Sequence, residues 1–488
     1  MVDTQPVTDR AFGPAILVLS GLQLLVVLDG TVANLALPEL QDDLGLSDAG
    51  RNWAVVAYAL AFGGLMLLGG RLGDRFGRKK MFLCGVTLFT VSSLLCGAAL
   101  NGGMLIAARA LQGSGAAIAS PAALALIATT FAAGPARNKA IAISAAMSGA
   151  GSFTGLILGG ALTDLSWRWI FLINVPIGAL IIPCARKVLA ETADEPMELD
   201  VLGAVLATTG CTALVFGVSM GAELGWTDPV VAGGVIGGLV LLAVFLRVER
   251  TAARPLLPLR LFAERDRLIT FVSIAFAAAA LFCGSVYIAQ FVQNILHYSA
   301  LRAGFAFVPF GLGLALGSAV ASKLAARIPP RTLVFAGGLI VVPGLIFGST
   351  LDSGAHYLTD LMPPILAIGF GIGLAVVPLP LCALVGVGDE EIGPLTAITS
   401  VAQTLSGPVA LAVIGGMATA RTRALGGIDG PPSGMTAMQL DALGKGYTFA
   451  LLGCAVCAAL AAMAALFIRL TARQVAMAQH AQEANSGG

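Results

Sequence analysis

The sequence predicts an all-α membrane protein with fourteen transmembrane helices. Hydrophobic residues make up 57% of its 488 positions, and only 11% are charged. The mean hydropathy is +0.90. An ordinary soluble domain carries about 25% charged residues, so most of the surface of this chain is expected to face lipid. A transmembrane helix needs about 20 apolar residues, and the sequence contains fourteen such stretches.

The apolar stretches alternate with short polar segments. The predicted spans are 14–37, 52–70, 81–99, 104–128, 140–163, 169–187, 201–219, 229–247, 267–293, 301–324, 331–351, 359–385, 392–420 and 445–470. An even number places both termini on one side of the membrane. Most Lys and Arg residues fall on that same side, with clusters at 71–80 and 247–267. Because positive loops remain in the cytoplasm, we expect a multi-pass protein of the bacterial inner membrane with cytoplasmic termini.

The chain also contains an internal repeat. The segment 70–80 after span 2 has a weaker counterpart at 322–331 after span 10, at an offset of 252 residues that also relates Gly155 to Gly407. Such repeats are common in transporters, with the substrate site between the repeats. Spans 7 and 8 have no counterpart, which predicts two six-helix halves and two inserted helices. The predicted segments are the tail 1–13, the first half 14–187, the insert 188–266, the second half 267–470 and the tail 471–488.

Composition and motifs argue against several other functions. A net charge of +1 does not favour a nucleic-acid partner. The sequence has no GxxxxGK[ST] phosphate loop, so no nucleotide is expected. His297, His356 and His480 are far apart, which predicts no metal cluster. Cys454 and Cys457 lie in an apolar helix and are interpreted as packing residues. We therefore expect neither a cofactor nor an enzyme, and the proton gradient is the expected energy source.

A glycine-rich charged segment follows span 2. Its candidate gating residues are Gly70, Gly73, Asp74, Arg75, Gly77, Arg78 and Lys79. We expect Gly73 and Gly77 to form a tight turn, and Asp74 to pair with a neighbouring arginine or to cap a helix N-terminus. The order of residues resembles the cytoplasmic loop signature of the major facilitator superfamily, which implies the major facilitator fold and a gating role. The alternative is a positive cluster that only sets topology. In the second copy Ala326 replaces Asp74, so the same latch is not expected there.

Other motifs narrow the resemblance. The segment LDGTVANLALP at 28–38 resembles the signature of the fourteen-span drug:proton antiporter family. Asn52-Trp53 and Tyr58 in span 2 and the segment 167–176 at span 6 fit the same family, and the resemblance covers essentially the whole chain. It implies export of hydrophobic drugs, dyes or antibiotics by alternating access, driven by protons.

Two charged residues lie clearly within the predicted spans, Asp29 and Arg109. Arg109 opens the segment RALQGSG, which resembles the buried-arginine motif of the family. With a rise of about 1.5 Å per residue, Asp29 lies about 12 Å and Arg109 about 8 Å from the outer surface. Charges inside a membrane usually mark a pathway or a proton relay. The hypothesis is that Asp29 carries a proton and Arg109 adjusts its proton affinity; the alternative is a static ion pair.

Span 5 carries a row of small residues that resembles the antiporter helix of the family. The row consists of Gly151, Gly155, Gly159 and Gly160. Glycines of this kind allow close helix contact. Leu156 stands where the family has a proline, so the usual kink is not expected, and this departure puts strict antiport in question.

Uncharged polar residues within the spans are candidates for the substrate cavity. In lipid such groups bind a partner or line water, so each contacts substrate or bridges two helices. A cationic substrate would depend on Asp29 and on aromatic faces. The candidates are Gln23, Asn34, Tyr58, Gln112, Tyr287, Gln290, Gln293 and Gln403.

Two alternative functions remain open from the sequence. The first is export of one endogenous metabolite, siderophore or lipid. The second, from another class, is a membrane sensor or scaffold that transports nothing. The Gly- and Pro-containing loop 421–444 is a candidate contact for an envelope partner. The other expected partners are small hydrophobic substrates, protons and the lipid bilayer.

Overall fold

The computed structural model confirms the all-α fold class. It describes residues 9–131, 135–191, 200–225, 227–251, 262–325, 327–386, 389–428, 430 and 432–474, and no strand occurs within these ranges. Several helices begin at side-chain caps. Ser47, Asn101 and Asp200 each accept a hydrogen bond from the backbone N–H three residues further on. These caps satisfy N–H groups that a helix start leaves without an intrahelical partner.

The helices follow the predicted spans closely. The first half contains α1 (Asp9–Leu44), α2 (Asp48–Phe76), α3 (Arg78–Gly97), α4 (Gly102–Thr130), α5 (Pro135–Leu165), α6 (Trp169–Leu172) and α7 (Asn174–Val188). The insert contains α8 (Val201–Leu224) and α9 (Pro229–Thr251). The second half contains α10 (Arg265–Gln290), α11 (Ala300–Ala306), α12 (Val308–Leu324), α13 (Pro330–Gly348), α14 (Met362–Val376), α15 (Pro378–Ala383), α16 (Asp389–Ala424) and α17 (Ala437–Leu466).

The predicted number of fourteen spans is not confirmed. Among the described residues, eleven helical segments are long and apolar enough to cross a membrane, and a twelfth is added if the bent α2 counts as one span. The inserted α8 has a shorter apolar stretch, Leu202–Val218. Every predicted stretch nevertheless contains a helix. The chain is therefore a multi-pass membrane protein.

Some predicted boundaries and turns are wrong. Helix α1 continues to Leu44, seven residues beyond the predicted span end, and α16 continues to Ala424. Because α17 already begins at Ala437, the connection is shorter than the predicted loop 421–444. Gly73 does not form a turn, since it lies within α2 with Ala122 of α4 about 4.0 Å from the position of a Cβ atom.

The same helix neighbours recur in the two halves. In the first half α1 packs against α5, and α2 packs against α4; in the second half α10 packs against α16, and α12 packs against α14. The inserted α8 packs against α9 and also against α2 and α16. At this contact the Trp53 ring lies 6.0 Å from the ring of Phe216. The residue boundaries of the two halves and the insert stay a prediction.

The start of α1 and the end of α17 lie at one end of the helix bundle. Near the end of α1, Gln41 accepts a hydrogen bond from Arg51, which also contacts Tyr447 near the start of α17. The end of α1 and the start of α17 are therefore neighbours, and the other ends of these helices share the opposite side. We call the side with the start of α1 and the end of α17 the terminal end, and the side with Arg51 and Tyr447 the far end.

Candidate functional site

The two charges predicted inside the spans form a buried ion pair. Asp29 lies in α1 and Arg109 in α4, and Arg109 Nη1 is 2.6 Å from Asp29 Oδ2. Each side chain is only 1% exposed. The structure thus brings together two residues that are 80 positions apart in the chain. A charge-assisted hydrogen bond of this length is among the stronger polar contacts in proteins.

Amide side chains complete the surroundings of the Asp29 carboxylate. Gln112 Nε2 donates to Asp29 Oδ1 at 2.8 Å, and Asn174 Nδ2 donates to the same oxygen at 2.9 Å. Gln112 also accepts from Arg109 Nη1 at 2.8 Å and donates to Ser93 Oγ at 2.8 Å. Donors aimed at a carboxylate stabilise its charged form. The network therefore engages both oxygens of Asp29, with helices α1, α3, α4 and α7 contributing to it.

Arg109 is anchored on its other sides by backbone and aromatic groups. Its Nε donates to the carbonyl oxygen of Ala54 at 2.9 Å. The guanidinium carbon lies 4.4 Å from the centre of the Tyr58 ring and 5.4 Å from that of Phe171. Cation–π contacts of this kind are stronger when the cation is removed from water. Arg109 Nη2 and the Tyr58 hydroxyl are buried without a hydrogen-bond partner among the described atoms.

The residues predicted to line a cavity have different surroundings. Gln112 is fully buried within the ion-pair network and bridges helices, which is the alternative to a cavity position that its sequence left open. Gln290 is also fully buried, and neither atom of its amide has a described hydrogen-bond partner. Gln293 donates to Ala289 O of its own helical segment at 3.3 Å. Gln403 is exposed, whereas Tyr58 and Tyr287 are buried and Gln23, Asn34 and Gln293 are half-buried.

The charged segment after span 2 connects α2, α3 and α7 through polar contacts. Gly77 separates the first two helices with a φ of 93°, a conformation that favours glycine. Arg78 pairs with Asp74 at 3.0 Å. Lys79 Nζ donates to the carbonyl oxygens of Arg186 and Leu189 at the end of α7.

A carboxylate that was not predicted from the sequence also contributes to this connection. The oxygens of Glu191 accept hydrogen bonds from the backbone N–H groups of Lys79 and Lys80 at 3.0 and 3.1 Å. A carboxylate at the start of α3 is electrostatically favourable. The second copy of the segment cannot be compared at its key position, because Ala326 lies outside the described residues.

The glycines of α5 serve two different contacts. A Cβ atom at Gly151 would lie 3.1 Å from Leu24 O of α1, and one at Gly159 would meet Val32 of α1 at 2.9 Å. Gly155 also faces α1. Gly160 instead faces the backbone of α11, where a Cβ atom would lie 2.5 Å from Ala300 O. The first three therefore pack within one half, and the last packs between the halves at the far end.

Three further polar residues of the buried surroundings were not predicted from the sequence. Asn174 lies in the segment 167–176, which was recognised as a family motif without a role for this residue. Ser93 has no distinctive local pattern. Arg51 was placed just outside span 2, but it is only 2% exposed. An arginine one residue before a predicted span was the available signal for it.

Comparisons with known proteins agree with this architecture. The family model of the Major Facilitator Superfamily matches residues 19–411. The "Uncharacterized MFS-type transporter EfpA" of Mycobacterium tuberculosis is 50% identical, over 98% of this chain and 91% of that protein. The "Puromycin resistance protein pur8" of Streptomyces alboniger is 40% identical, over 89% of this chain and 87% of that protein.

More distant matches support the same assignment. The "Cephamycin export protein CmcT" of Amycolatopsis lactamdurans is 40% identical, over 80% of this chain and 82% of that protein. The crystal structure of a bacterial homologue of the human lysosomal transporter Spinster has a TM-score of 0.68 at 16% identity, and it covers 97% of this chain and 99% of that chain. That structural likeness shows the fold. Given the matched family model and these relatives, the chain belongs to the major facilitator superfamily of membrane transporters.

Proposed function

We propose that this transporter exports hydrophobic drugs, dyes or antibiotics across the bacterial cytoplasmic membrane in exchange for protons. The observation that carries the proposal is the buried contact between Asp29 and Arg109. Burying two charges in a membrane protein is expensive, and such charges usually serve transport. Asp29 is the group in this pair that can change its charge, because an arginine stays protonated.

The charge of the site links proton binding to substrate binding. With Asp29 ionised, the pair is neutral overall, and the carboxylate attracts a cation. When Asp29 binds a proton, Arg109 leaves a net positive charge that disfavours a cationic substrate. The ring of Tyr58 lies beside this pair and contacts the guanidinium of Arg109. Competition between a proton and a substrate for one site is sufficient for exchange.

The direction of transport follows from the assigned orientation. The basic segment 71–80 lies at the terminal end of α2 and α3, which by the positive-inside rule is cytoplasmic. The far end is then external. Protons enter from that side and are released at the terminal end, while the substrate moves outward.

The named relatives support antibiotics and related compounds as the substrate class. Relatives at 40% identity are named for puromycin resistance and for cephamycin export. A second candidate, export of one endogenous compound, is favoured by the fact that each of these names refers to a single antibiotic. In both cases a conformational change does the work and no bond is broken in the substrate, so we propose no enzymatic activity.

Dye efflux tests the proposal. A pump-deficient bacterium is loaded with ethidium and expresses the wild type, Asp29→Asn, or the control Asp441→Asn, whose carboxylate is exposed and pairs with Lys445. We expect efflux by the wild type and the control that stops with a protonophore, and no efflux by Asp29→Asn. Efflux that survives Asp29→Asn would make the Asp29–Arg109 pair a static structural contact. A well-expressed wild type that moves no dye would favour the single endogenous substrate.

A further inference from the structure

A buried arginine lies between the two halves at the far end of the molecule. Arg51 is in the first turn of α2 and is 2% exposed. Its Nη1 donates to Gln41 Oε1 of α1 at 2.8 Å and to the Tyr447 hydroxyl of α17 at 3.4 Å. The first contact lies within one half, and the second joins the halves. A guanidinium can remain buried only when such acceptors replace its hydration.

Tyr447 is in turn fixed by its own half. Its hydroxyl oxygen accepts a hydrogen bond from Asn294 Nδ2 at 3.0 Å, and its ring lies 6.1 Å from that of Tyr287. A tyrosine oxygen has two lone pairs, so hydrogen bonds from Asn294 and Arg51 can be accepted together. Tyr447 and Asn294 therefore present a preformed acceptor to the arginine of the opposite half.

Further contacts between the two halves lie at the far end. Near Gly415 of α16, the Tyr287 hydroxyl and Asn52 Nδ2 lie 3.0 and 3.2 Å from the position of a Cβ atom. Val55 and Val56 of α2 share one apolar cluster with Tyr447 and Ala418 of the second half. Polar bonds and apolar packing thus coincide where the halves meet.

The position of Arg51 connects this closure to the ion pair. Ala54, whose carbonyl oxygen accepts from Arg109 Nε, follows Arg51 by three residues in α2. That is about one helical turn, or about 4.5 Å along the axis. A displacement of α2 that separates Arg51 from Tyr447 therefore also moves the carbonyl that anchors Arg109.

We propose that Arg51 is the external gate residue of the transporter: its hydrogen bond to Tyr447 holds the far end closed and is broken each time this end opens. When the halves part, water replaces both partners, so the bond contributes little net free energy and is easily exchanged. This suits a contact that must form and break in every cycle. The assignment of the far end to the outside rests on the proposed function, whereas the closure itself does not.

Cysteine accessibility tests the gate without any substrate. Ala418→Cys places a thiol in the closed cluster, where Ala418 is 4% exposed. A membrane-impermeant maleimide is added to intact cells and to inverted vesicles, and labelling of the parent chain is subtracted. Tyr447→Phe removes only the hydroxyl. We expect this change to accelerate labelling of the introduced thiol in intact cells about fivefold, the loss of one ordinary hydrogen bond, and Arg51→Gln to do so at least as strongly.

A matched control separates the gate from a general loosening. Tyr357→Phe also removes a hydroxyl, but that hydroxyl contacts Ala306 O within the second half, so labelling should not change. Equal labelling in the Ala418→Cys background alone and with Tyr447→Phe or Arg51→Gln would overturn the proposal and leave Arg51 as a brace between α1 and α2. If Arg51→Gln fails to reach the membrane, Tyr447→Phe alone decides. Acceleration in inverted vesicles only would support the closure but overturn the external assignment.

Discussion

Arg109 Nη1 lies 2.6 Å from Asp29 Oδ2, and each of these two side chains is 1% exposed. The side-chain amides of Gln112 and Asn174 both donate hydrogen bonds to the second oxygen of the carboxylate, Asp29 Oδ1. This arrangement occupies both oxygens of the carboxylate with donors from α4 and α7. Transport should therefore respond to changes at this contact and in the packing between the halves.

The first prediction concerns the two charges as a unit. Arg109→Gln should destabilise the protein by about 3–5 kcal/mol, because it leaves a buried carboxylate without its cation. The double variant Asp29→Asn/Arg109→Gln should recover most of this stability, since no unpaired charge remains. Thermal unfolding in detergent measures both. Ethidium efflux should be absent from the single and the double variant; a double variant that pumps would remove Asp29 from the coupling path.

The second prediction concerns the donors around Asp29. Asn174→Leu removes one N–H donor from the buried Asp29 carboxylate. A hydrogen bond to a charged group is worth about 1.5–3 kcal/mol. The free energy of unfolding, measured by thermal unfolding in detergent, should therefore fall by about 1.5–3 kcal/mol. Ser93→Ala removes a partner of Gln112 but not of Asp29, so it should lower the free energy of unfolding less. Equal losses in the two variants would contradict a direct role of the Asn174 donor.

The third prediction concerns Gly160 at the contact between the halves. Gly160→Ala places a Cβ atom against Ala300 O, and overpacking of this kind costs about 1–3 kcal/mol. The cost falls on the state with a closed far end, so efflux should slow about tenfold while the protein remains folded. Gly233→Ala in α9 is the matched control, because a Cβ atom there meets nothing within 4 Å. Equal efflux by the two variants would show that the α5–α11 contact does not limit transport.

The fourth prediction concerns the charged segment between α2 and α3. The pair Asp74–Arg78 is 31% and 29% exposed, and exposed pairs contribute about 0–1 kcal/mol. Asp74→Asn should therefore leave the midpoint of thermal unfolding nearly unchanged. If the segment is a gate, efflux should still fall several-fold at unchanged expression. Normal efflux would reduce the segment to a topology signal, the alternative that its sequence left open.

Much of the candidate site could be predicted because a charged residue within an apolar span is rare and usually functional. Asp29 and Arg109 were identifiable as a pair since few charges are tolerated within apolar spans. The roles of Gln112 and Asn174 were not, because an uncharged amide in a span has the same appearance whether it faces a cavity, a ligand or another side chain. Glu191 was missed for a different reason: it lies in a polar connection, and only folding brings it to the start of α3.

The sequence by itself determined that this is an all-α, multi-pass transporter. Hydrophobic runs decide which segments enter lipid, since an apolar helix satisfies its own backbone and needs no neighbour to do so. Tertiary structure decided which helices touch. In the structure, α1 ends at Leu44, Gly73 lies inside a helix, and Arg51 contacts the opposite half. The contact between Arg51 and Tyr447 joins side chains 396 positions apart, and local hydropathy carries no information about such pairs.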